Sequence, residues 1–398
     1  MTQRLYYQDS YCTEFDAAIV RSVPAAKGAT GIILDRTCFY PASGGQPCDH
    51  GALNDQPVYD VVEEGNDIIH WVRGTVQGPA VHGQIAWSRR LDHMQQHTGQ
   101  HILSEACLKV LGAQTVSFHL GEESSTIDLD RASLDPAQAM TVEDLANEVV
   151  FANGPVRARM VEAEELPSLG LRKAPAVEHD IRIVEVEGFD HSPCGGTHCS
   201  RAGEVGPIAI LKWERHAQET RLEFVCGWRA VRDYRWKTAT INELALAFSV
   251  KDTQLAEAVR RLSAEAAGDR RELHRLKEES LVVEAARRLA EATLWDDVRV
   301  VVCSFDARDP QEVRALALLL TKGDKTVALL GVGGQGARLF FARTPDVAAD
   351  MATLLKRTCL AFGGSGGGQP HLAQGGGLPG DRVSEALHFA EQALRNKG

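Results

Sequence analysis

Several features are absent from this sequence of 398 residues, and each absence excludes a class of protein. No apolar run approaches the ~20 residues that a membrane-spanning helix needs. The N-terminus, MTQRLYYQDSYC, lacks the apolar core of a secretory signal peptide. The nine cysteines are odd in number and irregularly spaced, which disfavours a disulfide framework and indicates a reducing compartment. These absences predict a cytoplasmic protein with no membrane partner.

An excess of positive charge is also absent. The chain carries 43 Lys and Arg against 54 Asp and Glu, which gives a formal net charge of −11. This balance excludes broad, charge-driven binding to nucleic acid, although a local basic face could still hold a phosphate backbone. The apolar fraction of 44% is ordinary for a globular protein, and the length suggests two or three domains.

Two short motifs offer metal ligands. HMQQHTGQHIL places His97 and His101 four residues apart, and SPCGGTHCS gives Cys194 and His198 the same spacing. On a helix the first pair can aim two imidazoles at one point, whereas Pro193 and the glycines make the second motif a loop. Each pair alone has an ordinary alternative, a chance pair on a solvated helix or a buried thiol. Together they form a ligand set that suits tetrahedral Zn²⁺.

Two familiar classes of zinc protein lack support here. A metalloprotease HExxH motif needs a glutamate as general base, but Thr98, Gly99 and Gln100 cannot accept a proton. A zinc finger needs a compact ligand span, whereas nearly a hundred residues separate the two motifs. The predicted metal therefore lies inside a folded domain. His93 precedes His97 by four residues and is predicted to be a solvated turn residue, with a place beside the metal ligands as the alternative.

Turn signals and hydrophobic periodicity predict an α+β chain. A helix is expected from about Leu91 to Gly112 and another that ends at Gly154, with short strands between and after them. The predicted segments are a small β-barrel (1–90), a zinc-containing α+β core (91–228), a helical coiled-coil segment (229–293) and a small C-terminal α/β domain (294–398).

The predicted coiled-coil segment contains an apolar seam with a period of 3.5 residues. This seam indicates an antiparallel helical hairpin or an imperfect coiled coil, and it makes a homodimer possible. Gly268 and Asp269 mark a possible bend. The seam consists of Leu255, Val259, Leu262, Ala266, Leu273, Leu276, Val283 and Ala290.

Two further stretches are candidates for RNA contact. The first is basic, with Tyr234 and Trp236 interleaved, and its alternative is a solvated helix face. The second is the glycine-rich GGSGGGQPHLAQGGG, which predicts an ordered loop that wraps a phosphate with backbone N–H groups, with a flexible linker as the alternative. It lacks the Lys-Ser/Thr of a Walker A loop. The candidate RNA-binding residues of these two stretches are Arg229, Arg232, Arg235, Lys237, Gly366, Gly367 and Gly368.

The segments HTGQHILSEA, CGGTH and CFYPASGGQPCDHG resemble the editing domain of alanyl-tRNA synthetases. The C-terminal part resembles the DHHA1 module of the same enzymes. The whole chain is thus similar to a free-standing alanyl-tRNA editing protein of the AlaX type, in its long form. The resemblance implies hydrolysis of tRNA(Ala) mischarged with serine or glycine, and zinc bound by His97, His101, Cys194 and His198.

The resemblance also implies that the segment CFYPASGGQP lies over the editing pocket. Thr37 and Gln46 are therefore candidate catalytic-site residues that contact the substrate. For Thr37 the alternative is a strand residue satisfied by a neighbouring backbone group. The family commonly has Thr-Gly-Glu after CGGTH, and Ala202 stands here in place of that threonine. The missing hydroxyl removes no metal ligand.

Three functions follow from these patterns. The leading one is a zinc-dependent hydrolase of an aminoacyl-tRNA ester, in which the metal activates water or only positions the substrate. The second is a non-catalytic RNA-binding protein with a structural zinc, since four protein ligands close a site. The GGQ segment and Thr37 favour the hydrolase, because a purely structural site would not require them. A phosphoesterase is disfavoured, because Asp-rich metal motifs are lacking.

Overall fold

A computed structural model describes residues 1–24, 29–173 and 181–396. The chain forms two compact units, Met1–Ala247 and Phe248–Gly398. The predicted mixed α+β class is confirmed, whereas the boundaries of the four predicted segments stay predictions. Among the described residues, no helix combines the length and the apolar character that a bilayer crossing requires.

The first unit begins with a closed β-barrel. Its six strands follow the order β2-β3-β7-β6-β5-β8, and β1 pairs in parallel with β4 beside it. Apolar side chains that include Ile32, Leu53 and Val72 fill the interior. The strands are β1 (Gln3–Arg4), β2 (Glu14–Pro24), β3 (Ala29–Leu34), β4 (Arg36–Thr37), β5 (Gly51–Leu53), β6 (Gln56–Glu64), β7 (Asp67–Arg73) and β8 (Ala80–Ile85).

Helices and two further sheets complete the first unit. Strands β9, β10, β15 and β14 form one sheet, and β11, β12 and β13 form the other. The elements are α1 (Trp87–Leu111), β9 (Thr115–Leu120), β10 (Ser125–Leu129), α2 (Pro136–Ala152), β11 (Val156–Val161), β12 (Ile181–Val186), β13 (Asp190–Pro193), β14 (Ile208–His216), β15 (Glu219–Cys226) and α3 (Trp228–Ala247).

The ends of α1 and α2 follow from local chemistry. Helix α1 stops at Gly112, as predicted, because glycine adopts the left-handed conformation there with a φ of 65°. Helix α2 starts with a capping box in which Asp135 accepts a hydrogen bond from the N–H of Gln138. It ends at Ala152, two residues before the predicted Gly154, because the C-cap residue Asn153 takes the left-handed conformation with a φ of 51°.

A buried ion pair connects the barrel to α1. The side chains of Arg90 and Asp49 are both fully buried, and the Nε of Arg90 lies 3.1 Å from each carboxylate oxygen. Arg90 also donates to the carbonyl oxygens of Ser10 and Cys38, while Asp49 accepts from the N–H of Tyr40. These partners satisfy both charges, which is the condition for burying them.

The second unit is an α/β domain preceded by a long helix. Its six-stranded sheet has the order β16-β17-β18-β19-β21-β20, with a parallel β17–β18 pair. The elements are α4 (Leu255–Ala290), β16 (Thr293–Trp295), β17 (Val298–Phe305), α5 (Pro310–Leu320), β18 (Thr326–Val332), β19 (Arg338–Arg343), α6 (Met351–Ala361), β20 (Ser365–Gln369), β21 (Leu372–Gly376) and α7 (Val383–Arg395).

Short 3-10 turns occur in both units. They are Leu5–Tyr7, Ala163–Ser168 and Ala202–Val205 in the first unit, and Asp252–Gln254 and Gly380–Arg382 in the second.

The glycine-rich stretch is a hairpin and not the predicted phosphate-wrapping loop. Strand β20 pairs antiparallel with β21 at the edge of the sheet. The glycines allow a close approach to neighbouring elements. A Cβ at Gly366 would lie 2.6 Å from the Cα of Gly375 and 2.9 Å from Leu355 of α6. A Cβ at Gly375 would lie 2.5 Å from the Sγ of Cys359. Close packing therefore explains why glycine occupies these two positions.

The predicted bend at Gly268 and Asp269 is wrong. Helix α4 runs through both residues without interruption for 36 residues. One glycine in a helix costs only about 1 kcal/mol, which the remaining helical residues offset. The apolar seam is largely exposed, with exposed fractions between 43% and 70% at Val259, Leu262, Leu273, Leu276 and Val283.

We expect the Arg90→Met substitution to lower the free energy of unfolding by about 3–5 kcal/mol, because it leaves the Asp49 carboxylate buried without its partner. Urea unfolding monitored by circular dichroism measures this loss. Arg157→Ala is the matched control, since it breaks the exposed Arg157–Glu187 pair and should cost less than about 1 kcal/mol. Similar losses in both variants would contradict a stabilising role for the buried pair.

Candidate metal centre

The structure brings the four predicted metal ligands together. One ligand atom from each of His97, His101, Cys194 and His198 lies within 4.8 Å of the others. The Nε2 atoms of His97 and His198 are each 3.3 Å from the Sγ of Cys194. Tetrahedral zinc bonds of about 2.0–2.3 Å place neighbouring ligand atoms roughly 3.3–3.8 Å apart. The cluster therefore has the size and the chemistry of a zinc site.

Each histidine of the cluster is oriented by a partner at its other ring nitrogen. The Nδ1 of His101 lies 3.0 Å from Asp190, and the Nδ1 of His198 lies 3.1 Å from the hydroxyl of Thr98. Asp190 also accepts hydrogen bonds from Arg172 and Ser192. With Nδ1 engaged in this way, Nε2 is left to face the centre of the cluster. Such partners fix the tautomer and the ring orientation of metal-bound histidines.

Gln46 orients the ring of His97 in the same way. Its Oε1 lies 2.8 Å from the Nδ1 of His97 and accepts from the N–H of Thr197 at 3.2 Å. Its Nε2 donates to the hydroxyl of Thr197 at 2.8 Å. The side chain is only 2% exposed. Gln46 thus joins the GGQ segment to both ligand motifs, which makes it a positioning residue for His97, while its contact with substrate stays a prediction.

Close packing explains two glycines of the ligand motifs. A Cβ at Gly196 would lie 2.2 Å from the Cε1 of His97 and 2.9 Å from the Oε1 of Gln46. A Cβ at Gly99 would lie 2.2 Å from the Sγ of Cys226. Neither position has room for a side chain, because protein interiors are close-packed. Close packing therefore explains why glycine occupies these two positions between the ligand residues.

The electrostatics of the cluster favour a metal cation. Burial opposes ionisation of the Cys194 thiol, but the imidazoles of His97 and His198 bring its pKa well below the ordinary value. Burial also lowers the pKa of His198 to about 3, so this ring is neutral. Burial opposes protonation of His101, but the Asp190 carboxylate and the Cys194 sulfur outweigh it and raise the pKa of this ring to about 9. A metal ion competes with that proton for the Nε2 atom.

Thr37 lies in the interior of the first unit and is fully buried. Its hydroxyl accepts from the N–H of Phe39 at 3.0 Å and donates to the Nε2 of His70 at 2.8 Å. His70 stays neutral, because burial lowers its pKa to about 4, and its Nδ1 donates to the carbonyl oxygen of Ile32. The hydroxyl hydrogen of Thr37 is therefore already used. This geometry favours the alternative of a strand residue satisfied by its neighbours.

The predicted tRNA-binding residues of α3 differ in their availability. Arg229 is only 6% exposed and makes a bidentate ion pair with Asp92, which disfavours the predicted RNA contact. Arg232 is well exposed. Lys237 is half exposed and pairs with Asp233 at 2.7 Å. The guanidinium of Arg235 lies 5.9 Å from the ring centroid of Trp228.

His93 is not the solvated turn residue that the sequence predicts. Its ring is 3% exposed, and the buried Nδ1 has no hydrogen-bond partner among the described residues. Burial, helped by the charge of Arg89, lowers the pKa of the ring to about 3. The residue lines a cavity beside Pro47, one turn of α1 before His97.

Three residues of the cluster were not predicted from the sequence. Asp190, Thr98 and Thr197 hold ligand histidines or Gln46 in place. The proximity of Asp190 to Cys194 in the chain is the one signal that could have indicated it. From the sequence, Thr98 was recognised only as a residue that cannot act as the general base of a metalloprotease.

Comparison with known proteins relates the chain to alanyl-tRNA synthetases. Residues 181–223 match the family described as "Threonyl and Alanyl tRNA synthetase second additional domain", and residues 297–396 match the DHHA1 domain. The alanine–tRNA ligase of Methanoregula boonei is 33% identical over 99% of this chain and 43% of its own length. The corresponding enzyme of Pyrococcus furiosus is 32% identical over 99% of this chain and 44% of its own length.

These matches confirm the resemblance that the sequence predicts. The chain spans less than half the length of the relatives it matches. Among solved structures, the C-Ala domain of Aquifex aeolicus alanyl-tRNA synthetase matches at a TM-score of 0.24 and 23% identity, over 25% of this chain and 95% of that domain.

We expect the purified protein to contain one zinc ion per chain, and we expect His101→Ala and Cys194→Ala to lose it. Removal of one donor leaves three ligands, and metal binding is linked to the free energy of folding. Elemental analysis measures the zinc, and thermal unfolding measures the loss of stability. His191→Ala is the control, because this partly exposed side chain lies three residues before Cys194 and outside the cluster. Full occupancy in both ligand variants would refute the assignment.

A separate prediction concerns Gln46. Gln46→Ala keeps all four donors and removes the partner of His97, so zinc should still bind but with an affinity about 10–100-fold lower. Competition with a chromophoric chelator measures this change. An affinity equal to that of the wild-type protein would show that the His97 ring is oriented without Gln46.

Proposed function

Because the chain carries both a second additional domain of the alanyl- and threonyl-tRNA synthetase type and a DHHA1 domain, we propose that it is an editing hydrolase. Its substrate would be tRNA(Ala) that carries serine or glycine, and its product free amino acid and tRNA. The observation that carries this proposal is the contact of Gln46 with His97 and Thr197. It ties the GGQ segment to the metal cluster, and a purely structural zinc would need no such segment.

The metal of this proposal is Zn²⁺, held by His97, His101, Cys194 and His198. When bound, zinc would supply a Lewis acid for the ester carbonyl or a fixed position for the amino group of the substrate. The protein contributes orientation. Asp190 aligns His101, and the Gln46 amide aligns His97. Arg182 donates to the carbonyl oxygens of Cys194 and Gly196 and so holds the ligand loop in shape.

Preorganisation is the main catalytic contribution expected of such a site. The hydrolysis of an aminoacyl ester needs a positioned water and stabilisation of the developing oxyanion. Three of the four proposed ligands are buried, while Cys194 is partly exposed. We infer that the substrate approaches from the side of Cys194. The ester would then meet the metal cluster without a rearrangement of the buried histidines.

The same proposal includes tRNA contacts outside the metal cluster. In the second unit, a cavity of about 700 Å³ is lined by Arg314, Arg338 and the backbone of Gly366. The glycines expose backbone N–H and C=O groups at a sheet edge, and the arginines supply charge for phosphates. In the first unit, Arg232, Arg235 and Lys237 remain the proposed contacts on α3.

The exposed seam of α4 supports a homodimer as part of the proposal. Five of its apolar side chains are exposed by 43% or more, which is unusual for a helix whose apolar residues follow a regular period. Pairing of two such seams would bury them in the manner of a coiled coil. The occupant proposed here is a second copy of the same chain.

A non-catalytic RNA-binding protein remains the second candidate, and one observation favours it. The four donor atoms form a closed set, as in structural zinc sites, which leave no position for a substrate. Both candidates predict zinc and tRNA binding. They differ in whether the ester is cleaved.

We expect the purified protein to release amino acid from seryl- and glycyl-tRNA(Ala) and to leave alanyl-tRNA(Ala) intact. Acid-precipitable radioactivity measures this release. Cys194→Ala should reduce the rate by about 100-fold or more, because it removes part of a preorganised electrostatic site. The control variant Arg157→Ala should hydrolyse at the wild-type rate. Zinc-loaded protein that binds tRNA and releases none of the three amino acids would overturn the hydrolase and support the second candidate.

A further inference from the structure

A cavity of about 650 Å³ lies between the beginnings of α1 and α3. Helix α1 contributes Trp87, Arg89 and His93, and α3 contributes Trp228 and Arg232. The indole of Trp228 is 53% exposed, although the residue begins a helix. The volume suits a nucleotide-sized ligand, and such pockets usually combine apolar walls with a few polar groups.

The charged groups of the cavity favour an anionic ligand. Its walls carry Arg89, Arg229 and Arg232 against Asp92 and Glu122, which leaves one net positive charge in a chain of net charge −11. The Asp92 carboxylate is already engaged by Arg229 at 2.9 and 3.1 Å. The Nη2 of Arg232 also lies 3.9 Å from Asp92, but 64% of its side chain stays exposed. It is thus available to a phosphate group.

The floor of the cavity holds an unsatisfied polar group. His93 is only 3% exposed, and its Nδ1 lacks a hydrogen-bond partner among the described residues. A neutral imidazole offers one donor and one acceptor. Buried polar groups normally have a partner, so an orphan in a cavity wall indicates a missing ligand or water.

The position of the cavity relates it to the metal cluster. His93 precedes His97 by four residues on α1, which is about one helical turn of 5.4 Å. Pro47, another wall residue, follows Gln46 directly. A group bound in the cavity would therefore lie one turn of α1 from a proposed zinc ligand. This is the neighbourhood of the reacting ester if the proposed function holds.

We propose that this cavity binds an unpaired nucleotide of the tRNA 3′ end, next to the nucleotide that carries the ester. Its base stacks on Trp228, its phosphate is held by Arg232 and Arg89, and His93 completes the hydrogen bonding at the floor. Stacking on an aromatic ring together with a basic contact is how proteins hold single-stranded nucleic acid. This inference rests on the proposed function for its choice of RNA.

The test uses the full-length, zinc-loaded protein and the trinucleotide cytidine-cytidine-adenosine with a free 3′-hydroxyl. Fluorescence anisotropy of a 5′-labelled trinucleotide gives the Kd. Trp228→Leu should raise it about tenfold, in line with the loss of one base–aromatic stack. Arg232→Ala should raise it and lower the slope of log K against log salt by about one. His93→Phe, which keeps an aromatic ring and removes both ring nitrogens, should also weaken binding.

Two variants outside the cavity serve as matched controls. Phe151→Leu removes an aromatic side chain that is 79% exposed on α2, and Arg157→Ala removes an exposed charge on β11. Both should bind the trinucleotide like the wild-type protein. Because Trp228 and Arg232 are exposed, their variants should keep the wild-type zinc content and unfolding temperature.

Binding and hydrolysis are measured on the same proteins, so the two proposals can fail separately. Unchanged Kd values for Trp228→Leu and Arg232→Ala would overturn the nucleotide site, even if the wild-type protein hydrolyses seryl-tRNA. Displacement of the trinucleotide by equimolar inorganic phosphate would also overturn it, because the site would then bind an anion without a base. Weakened binding in the cavity variants, in a protein that cleaves no ester, would support the site and refute the hydrolase.

Discussion

The buried ion pair between Arg90 and Asp49 is the constraint on which the metal centre depends. Asp49 lies three residues after Gln46, and Arg90 lies seven residues, or about two helical turns, before His97. The Arg90–Asp49 pair therefore fixes the position of the GGQ segment both around the axis of α1 and along it. The bond from Gln46 to His97 needs this register. A displacement of the barrel along the helix would break it and free the His97 ring.

Part of this site could be predicted from the sequence, because part of it is set by local geometry. The helical spacing of His97 and His101 dictates that both imidazoles share a face, and the CGGTH segment could only be a loop. The role of Gln46 could not be predicted, since its partners Thr197 and His97 lie 151 and 51 residues away in the chain. Long-range hydrogen bonds leave no periodic signal.

The failed predictions have physical reasons of the same kind. Arg229 was grouped with its neighbours by composition, but its guanidinium is held by Asp92, a residue 137 positions earlier. The glycines around Gly366 were interpreted as an ordered loop that wraps a phosphate, yet they lie in a strand that packs closely against α6. Thr37 was placed by resemblance, and its hydroxyl is used by His70. In each case a tertiary partner decided what the residue is free to do.

The separation of the two ligand motifs has a consequence for how the protein is made. At the usual ~5–20 residues per second, the ribosome needs roughly 5–20 s to add the stretch between His101 and Cys194. During that interval the nascent chain contains only two of the four proposed ligands, because Cys194 and His198 have not yet been added. In the folded protein, Cys194 directly follows β13, which is paired with β12. Capture of a metal by all four ligands would therefore follow synthesis of the CGGTH motif, and metal occupancy would report that the two ligand motifs have met.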